Sequence, residues 1–230
     1  MITYRKILGY KVYLKDDNHK YIDIFLNAIK YKVECVKVLR NIDDTKVSLI
    51  RTEHGLYIFK VFAPKSKKLE RFLKSFVKGD YYKNLIIQTD RVREKGNEFP
   101  NDFYLLAERK ILNYASVFIM LIEYINGIEL DDMECISEEI KTEIKQKMDK
   151  LHSDKMLSGD PHRGNFIVEK SGVRIIDLSG KYCNSQRMAK DRLAMERHLG
   201  IKNDKKDVGY YLVVYKLKLR NFLKKIKGKK

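Results

Sequence analysis

Asp160 and Asn165 stand five residues apart in Ser158-Gly159-Asp160-Pro161-His162-Arg163-Gly164-Asn165, and a third oxygen donor, Asp177, follows at the end of Val173-Arg174-Ile175-Ile176. Side chains of these types, in this order, can move a phosphoryl group. A hydroxyl attacking a nucleotide γ-phosphate has to be oriented and has to lose its proton, which suits the carboxylate of Asp160. The charge on the phosphates calls for Mg2+, a hard cation that takes oxygen ligands such as Asn165 and Asp177. Taken singly, Gly159-Asp160-Pro161 would be an ordinary turn and Asp177 a helix cap. The complete set at this spacing is better explained by the chemistry.

The loop needs rigid neighbours, and the flanking sequence predicts them. Phe166-Ile167-Val168 and Val173-Arg174-Ile175-Ile176 are β-prone runs around Ser171-Gly172, which reads as a hairpin delivering Asp177 beside the loop, with Leu178-Ser179-Gly180 as a flexible exit. Before the loop, Ser137 is an N-cap for a helix reaching Leu151, with Ile140, Ile144, Met148 and Leu151 on one face. After it, Met188-Ala189-Lys190-Asp191-Arg192-Leu193 reads as a helix whose basic residues grip anions or face water. His152 reads as a structural residue at a helix end, His162 as able to hydrogen-bond substrate or Asp177, and Arg163 as a contact to an anionic acceptor or to solvent.

Further upstream, Leu56-Tyr57-Ile58-Phe59-Lys60-Val61-Phe62 is a β-type run with one basic residue at its centre. A lysine on a buried strand needs a partner, because an unpaired buried ammonium is costly. Nucleotide phosphates would supply one, and a helix carboxylate would hold the lysine in place. Glu70 is the candidate, beside the apolar stripe of Leu69, Phe72, Leu73 and Phe76, with Glu94, Glu98 and Glu108 as rivals. Phe118-Ile119-Met120-Leu121-Ile122 is a buried-strand run leading into Glu123-Tyr124-Ile125 and the turn at Asn126-Gly127.

Lys60, Glu123-Tyr124-Ile125, Leu151-His152, the Gly159-to-Asn165 loop and Asp177 together resemble the protein-kinase-like superfamily, and the loop resembles its small-molecule branch. More narrowly, the chain resembles the lipopolysaccharide core heptose(II) kinases of Gram-negative bacteria along essentially its whole length. That likeness is carried by Arg40-Asn41-Ile42-Asp43-Asp44-Thr45-Lys46-Val47, Lys78-Gly79-Asp80-Tyr81-Tyr82, Asn101-Asp102-Phe103-Tyr104-Leu105-Leu106-Ala107-Glu108-Arg109-Lys110, Asp160-Pro161-His162-Arg163-Gly164-Asn165-Phe166 and Ile201-Lys202-Asn203. The resemblance implies an α+β, bilobal protein-kinase-like fold, with a sheet-containing N-lobe over 1–122 and a mainly helical C-lobe over 123–230. It implies ATP and Mg2+ as cofactors: Asp160 as the catalytic aspartate, Asn165 and Asp177 on the metal, Lys60 on the phosphates with Glu70 behind it, and the backbone of Glu123 and Ile125 against adenine. Two features depart from the superfamily. The turn at Asn41-Ile42-Asp43-Asp44-Thr45, read as lying between the first two strands, has no glycine, so the usual Gly-rich phosphate cradle is absent. Asp177 is followed by Leu178-Ser179 where protein kinases have Phe-Gly.

Composition narrows the partners. A net charge of +17 points to nucleic acid, an anionic membrane surface or an anionic substrate. No nucleic-acid-binding motif is visible, so nucleic acid is not expected as a partner. An anionic glycolipid such as the lipopolysaccharide core fits, with peripheral contact at the inner membrane. The segment 208–226 places Val208, Leu212, Tyr215, Leu219, Phe222 and Ile226 on one helix face, which either packs on the core or docks on lipid headgroups. Tyr81-Tyr82 and Tyr210-Tyr211 read as packing residues. No apolar run reaches the ~20 residues a membrane span needs, and the N-terminus has no signal-like run. Cys35, Cys135 and Cys183 show no paired spacing and read as reduced thiols, so a cytoplasmic protein is expected. Alternatives are a kinase of another small hydroxylated or sugar acceptor, or a basic membrane- or nucleic-acid-binding protein without activity.

Overall fold

The computed structural model describes residues 1–42, 44–63, 80–111 and 114–226, and divides into two compact units, Met1–Asn126 and Gly127–Lys230. Glu70 and Asp43 lie outside the described residues. The architecture is α+β: a sheet-rich first unit and a mainly helical second one.

The first unit carries a seven-stranded antiparallel sheet in the order β1-β2-β6-β7-β5-β4-β3. Its strands are β1 (Ile2–Ile7), β2 (Tyr10–Lys15), β3 (Glu34–Ile42), β4 (Thr45–Thr52), β5 (Gly55–Phe62), β6 (Phe103–Ile111) and β7 (Tyr114–Glu123). Among the described residues two helices accompany it, α1 (His19–Ile29) and α2 (Tyr81–Glu94). The turn at Ile42–Thr45 therefore joins the third and fourth strands, not the first and second as the sequence predicted. An earlier hairpin precedes it, closed by the Ile7–Tyr10 pair, with Leu8 and Gly9 both at positive φ as a two-residue turn requires. Arg5, Lys6, Lys11 and Lys15 mask the apolar alternation of that hairpin, although Val12 and Leu14 are fully buried.

Successive strand residues face opposite sides of the sheet, so β5 separates its side chains into two sets. Tyr57, Phe59 and Val61 join Ile119 and Leu121 of β7 against Tyr21, Ile22 and Phe25 of α1. Lys60 faces the other way, in register with Met120, which is itself in register with Leu106. Along that second face Phe62 stacks on Phe118, and Tyr82 of α2 lies on Phe118 with ring centroids 3.8 Å apart.

Glu108, in register with Phe118 on this second face, is fully buried, and its Oε1 has no hydrogen-bond partner among the described residues. Burial raises its carboxyl from the usual 4.5 to about 7. Lys110 pulls the other way at 2.7 Å, but its ammonium is shared with Asp80, and burial prevails. The folded protein thus keeps this proton up to about pH 7, whereas the unfolded chain releases it near 4.5. Stability accordingly falls as pH rises through that interval, and the penalty is complete above it. Glu108→Gln should gain on the wild type between pH 5 and pH 8 by up to roughly 3 kcal/mol, read as a shift in urea midpoint. An equal shift at both pH values would show that Glu108 is ionised throughout.

The second unit contains α3 (Glu138–Ser153), α4 (Ser185–Leu199), α5 (Val208–Ile226) and a three-stranded sheet. The sheet runs β10 (Gly172–Ile175), β9 (Phe166–Glu169), β8 (Ile128–Glu129), and β9 and β10 form the predicted antiparallel hairpin. The Ser137 side chain caps α3 by accepting from the Ile140 N–H at 3.4 Å, and Ile144, Met148 and Leu151 bury its apolar stripe. Asn184 caps α4 in the same way, accepting from Arg187 N–H at 2.9 Å, and Gly200 ends that helix in the left-handed conformation. Helix α5 has the predicted bounds but turns its other side inward: Gly209 and Val213 are buried, and Val208, Leu212, Tyr215, Leu219 and Phe222 are exposed. Tyr211 is exposed as well, so of that tyrosine pair only Tyr210 is partly covered. Among the described residues no helix is long and apolar enough to cross a membrane.

Candidate active site

The loop that carries Asp160 is held mainly through its backbone. The Asp160 carbonyl accepts from His162 N–H at 2.9 Å and from Asn165 Nδ2 at 2.8 Å, which joins the two ends of the motif. His162 Nδ1 accepts from Gly164 N–H at 3.2 Å, and Asn165 N–H reaches the His162 carbonyl at 3.0 Å, closing a short turn over Arg163–Asn165. Arg163 is turned inward here: its guanidinium donates to the Leu130 carbonyl at 2.7 and 3.0 Å and also to the Met133 carbonyl. It braces a neighbouring turn and is not simply a solvent-facing or acceptor-facing cation.

The hairpin is fastened to the same loop. Ile176 N–H donates to the Asn165 carbonyl at 3.0 Å, so the residue before Asp177 is tied to the last residue of that turn. Asp177 itself is exposed and adopts φ 53°, a left-handed conformation that aspartate and asparagine tolerate better than most non-glycine residues. Helix α3 grips the returning strand at one residue: Glu143 accepts from Val173 N–H at 2.9 Å and Lys147 donates to the Val173 carbonyl at 2.6 Å.

Sequence reasoning missed the anchor beneath the loop. Asp191 of α4 is buried, and its carboxylate accepts from Ser158 N–H at 3.0 Å and from Gly159 N–H at 3.1 and 3.2 Å. His152 Nε2, at the end of α3, lies 3.2 Å from the same carboxylate. On its other side Gly159 is wedged: at φ +88°, a Cβ there would meet the Ser179 Cβ at 2.7 Å. The signal was present in the sequence. Asp191 sits four residues before Met195 and eight before Leu199, on the buried stripe of an amphipathic helix, where an unpaired carboxylate is costly.

The remaining predicted residues belong to the first unit. Lys60 lies half-buried on β5. The Glu123 carboxylate accepts from Asp102 N–H at 2.8 Å, with Arg93 Nη1 at 3.7 Å, and Glu123 N–H donates to the Asp102 carbonyl at 2.9 Å. One oxygen of the Glu123 carboxylate is thus bonded within its own unit. Ile125 is buried. Among the described residues no group of three or more His, Cys, Asp or Glu could hold a metal ion. Asn165 Nδ2 is spent on the Asp160 carbonyl, so its Oδ1 is the side-chain oxygen available to a hard cation.

Comparison with known proteins adds to this geometry. A family model described as "Lipopolysaccharide core biosynthesis protein (WaaY)" matches residues 1–229. A protein of Escherichia coli named "Lipopolysaccharide core heptose(II) kinase WaaY" is 67% identical over 229 residues, covering 100% of both chains. A protein of the same name from Escherichia coli strain K12 is 53% identical over 229 residues, covering 100% of this chain and 99% of its own. Among solved structures, the PknI kinase domain of Mycobacterium tuberculosis aligns with a TM-score of 0.43 at 13% identity, over 76% of this chain and 77% of that one. A likeness of that degree is too slight to bear on function.

Proposed function

The chain belongs to the WaaY family of lipopolysaccharide core biosynthesis proteins, and from that membership we propose how its residues phosphorylate the second heptose of the core. It is a kinase with an alcohol acceptor. The observation that carries this reading is identity of 67% along the entire length to a protein named for that activity. The loop geometry supports the roles proposed for its residues.

ATP is the phosphoryl donor in this proposal. Asp160 orients the heptose hydroxyl and takes its proton as the oxygen attacks the γ-phosphorus in line, while the bond to the β–γ bridging oxygen breaks and ADP departs with that electron pair. Its carboxylate is free of the bonds that shape the loop, since those run through its carbonyl. Asn165 Oδ1 and the Asp177 carboxylate would hold Mg2+, which would supply the positive charge that the phosphates require. Lys60 supplies a fixed cation for the phosphates from the rigid centre of the sheet, and the main chain at Glu123 and Ile125 receives the adenine. Glu70 remains the proposed partner of Lys60. Because the turn at 41–45 lacks glycine, main-chain amides or Thr45 on β4 would cover the phosphates. Most of the acceleration then comes from positioning and electrostatics, with no phosphoenzyme.

The acceptor is an anionic glycolipid, and the net charge of +17 favours it electrostatically over a cationic small molecule. The test is transfer from labelled ATP with Mg2+ to purified core lipopolysaccharide that lacks phosphate on its second heptose. Label on that heptose is expected. Label absent there but present on another core sugar would change the acceptor and keep the kinase.

A further inference from the structure

Helix α5 presents two apolar faces where a terminal helix packed on a core needs one. Its inward face, at Gly209 and Val213, lies against α4. The approach is close: a Cβ at Gly209 would meet the Ser185 carbonyl oxygen at 2.2 Å. Asp207 fixes the start of the helix, accepting from Tyr210 N–H at 2.9 Å and from Arg192 at 2.8 Å. The second face points away from the unit. It consists of Val208, Tyr211, Leu212, Tyr215, Leu219, Phe222 and Leu223, with Val208 73%, Tyr215 67% and Phe222 59% exposed. At ~100° per residue these side chains share a stripe about 120° wide, and Lys216 and Lys218 fall on either side of it.

Charge identifies the occupant. From Val208 to Lys230 the chain contains no acidic residue, while Lys216, Lys218, Arg220, Lys224, Lys225, Lys227, Lys229 and Lys230 are basic. An apolar protein partner would leave this cationic rim unmatched. An anionic bilayer surface satisfies both parts at once, taking the apolar stripe into the headgroup boundary while the lysines reach up to the phosphates. Tyr211 at the stripe's edge and Tyr215 within it suit the same boundary, each with an apolar ring and a polar tip.

We propose that α5 is a membrane-docking helix that lies in the plane of an anionic lipid surface through its Leu212–Leu219–Phe222 face. The inference rests on the reading of the acceptor as a glycolipid, which gives docking its purpose. Docking would reach the loop through α4, whose Asp191 holds Ser158 and Gly159 and whose neighbouring Arg192 is bound to Asp207.

The experiment is co-sedimentation of the full chain with vesicles of phosphatidylcholine alone and of phosphatidylcholine mixed with phosphatidylglycerol. A Leu219→Gln, Phe222→Gln variant is measured in parallel. The wild type should bind the anionic vesicles, weaken with added salt, and bind neutral vesicles poorly. The variant should lose about tenfold or more in partitioning, while its transfer to a soluble, lipid-free core oligosaccharide is unchanged. Undiminished binding by the variant overturns the proposal, as does equal binding of the wild type to neutral vesicles. Absence of vesicle binding overturns it too; a wild-type dimer in solution that the variant converts to monomer would then give this face to a second copy. Vesicle binding requires neither ATP nor acceptor, so a failure of the kinase reading leaves this readout intact. Conversely, a wild type that fails to dock yet transfers normally to the soluble oligosaccharide sinks only the docking helix.

Discussion

Asp160→Ala lowers phosphate transfer by about a hundred- to ten-thousandfold, the usual worth of a positioned general base, and leaves the fold nearly untouched. Both halves of this expectation come from the loop geometry. The bonds that shape the loop at this residue, from His162 N–H and from Asn165 Nδ2, end on its carbonyl oxygen, which alanine retains. The carboxylate is exposed, so removing it opens no cavity and leaves no buried donor unmatched. Its effect on stability should stay within about 0.5 kcal/mol, as for surface substitutions in general. Single-turnover transfer to the core acceptor, ATP affinity by titration and a thermal melt measure the three quantities separately. Transfer within a few-fold of the wild-type rate would remove Asp160 from the chemistry. A collapse of the melting temperature would mean that the carboxylate supports the loop after all.

The parts of this chain legible from sequence were those where one short stretch carries its own pattern. The hairpin around Ser171-Gly172, the cap at Ser137 and the bounds of the terminal helix each follow from local spacing, and each is found where expected. The first hairpin was not legible, because four basic residues interrupt an alternation that only Val12 and Leu14 complete by burial. The terminal helix shows a different limit. Its sequence holds two apolar faces, and periodicity reports both without saying which meets the protein. Contact with α4 is decided by the smaller one, because Gly209 permits the close approach that Leu212 or Phe222 would block. Residues that would react were also easier to recognise than the residue that holds them. Asp160 and Asn165 announce themselves by type and spacing, whereas Asp191 acts on Ser158 and Gly159 across more than thirty positions of chain.

That separation makes Asp191 the place where fold and reaction can be tested together. Its carboxylate is a buried acceptor for two main-chain N–H groups and a neighbour of His152. Asp191→Ala would leave those donors without a partner, at about 1–3 kcal/mol each, or about 2–6 kcal/mol in all. For a chain of this length that corresponds to a fall in melting temperature of about 4–24 °C. The consequence for catalysis is separate. Gly159 is held between Asp191 and Ser179, and Asp160 is the next residue, so releasing one side of the clamp lets the proposed base drift from its position. A misplacement of about 1 Å costs about a hundredfold in rate. Measured well below the melting transition, kcat should therefore drop by at least that factor while KM for ATP changes little. Asp191→Asn keeps one acceptor oxygen but turns an amide N–H towards a backbone donor, and should fall between the two in both stability and rate. If Asp191→Ala melted early yet turned over normally once folded, the residue would be a stabilising contact without influence on the loop. If it melted like the wild type, the two N–H groups would have found other partners, and the clamp would not exist in solution.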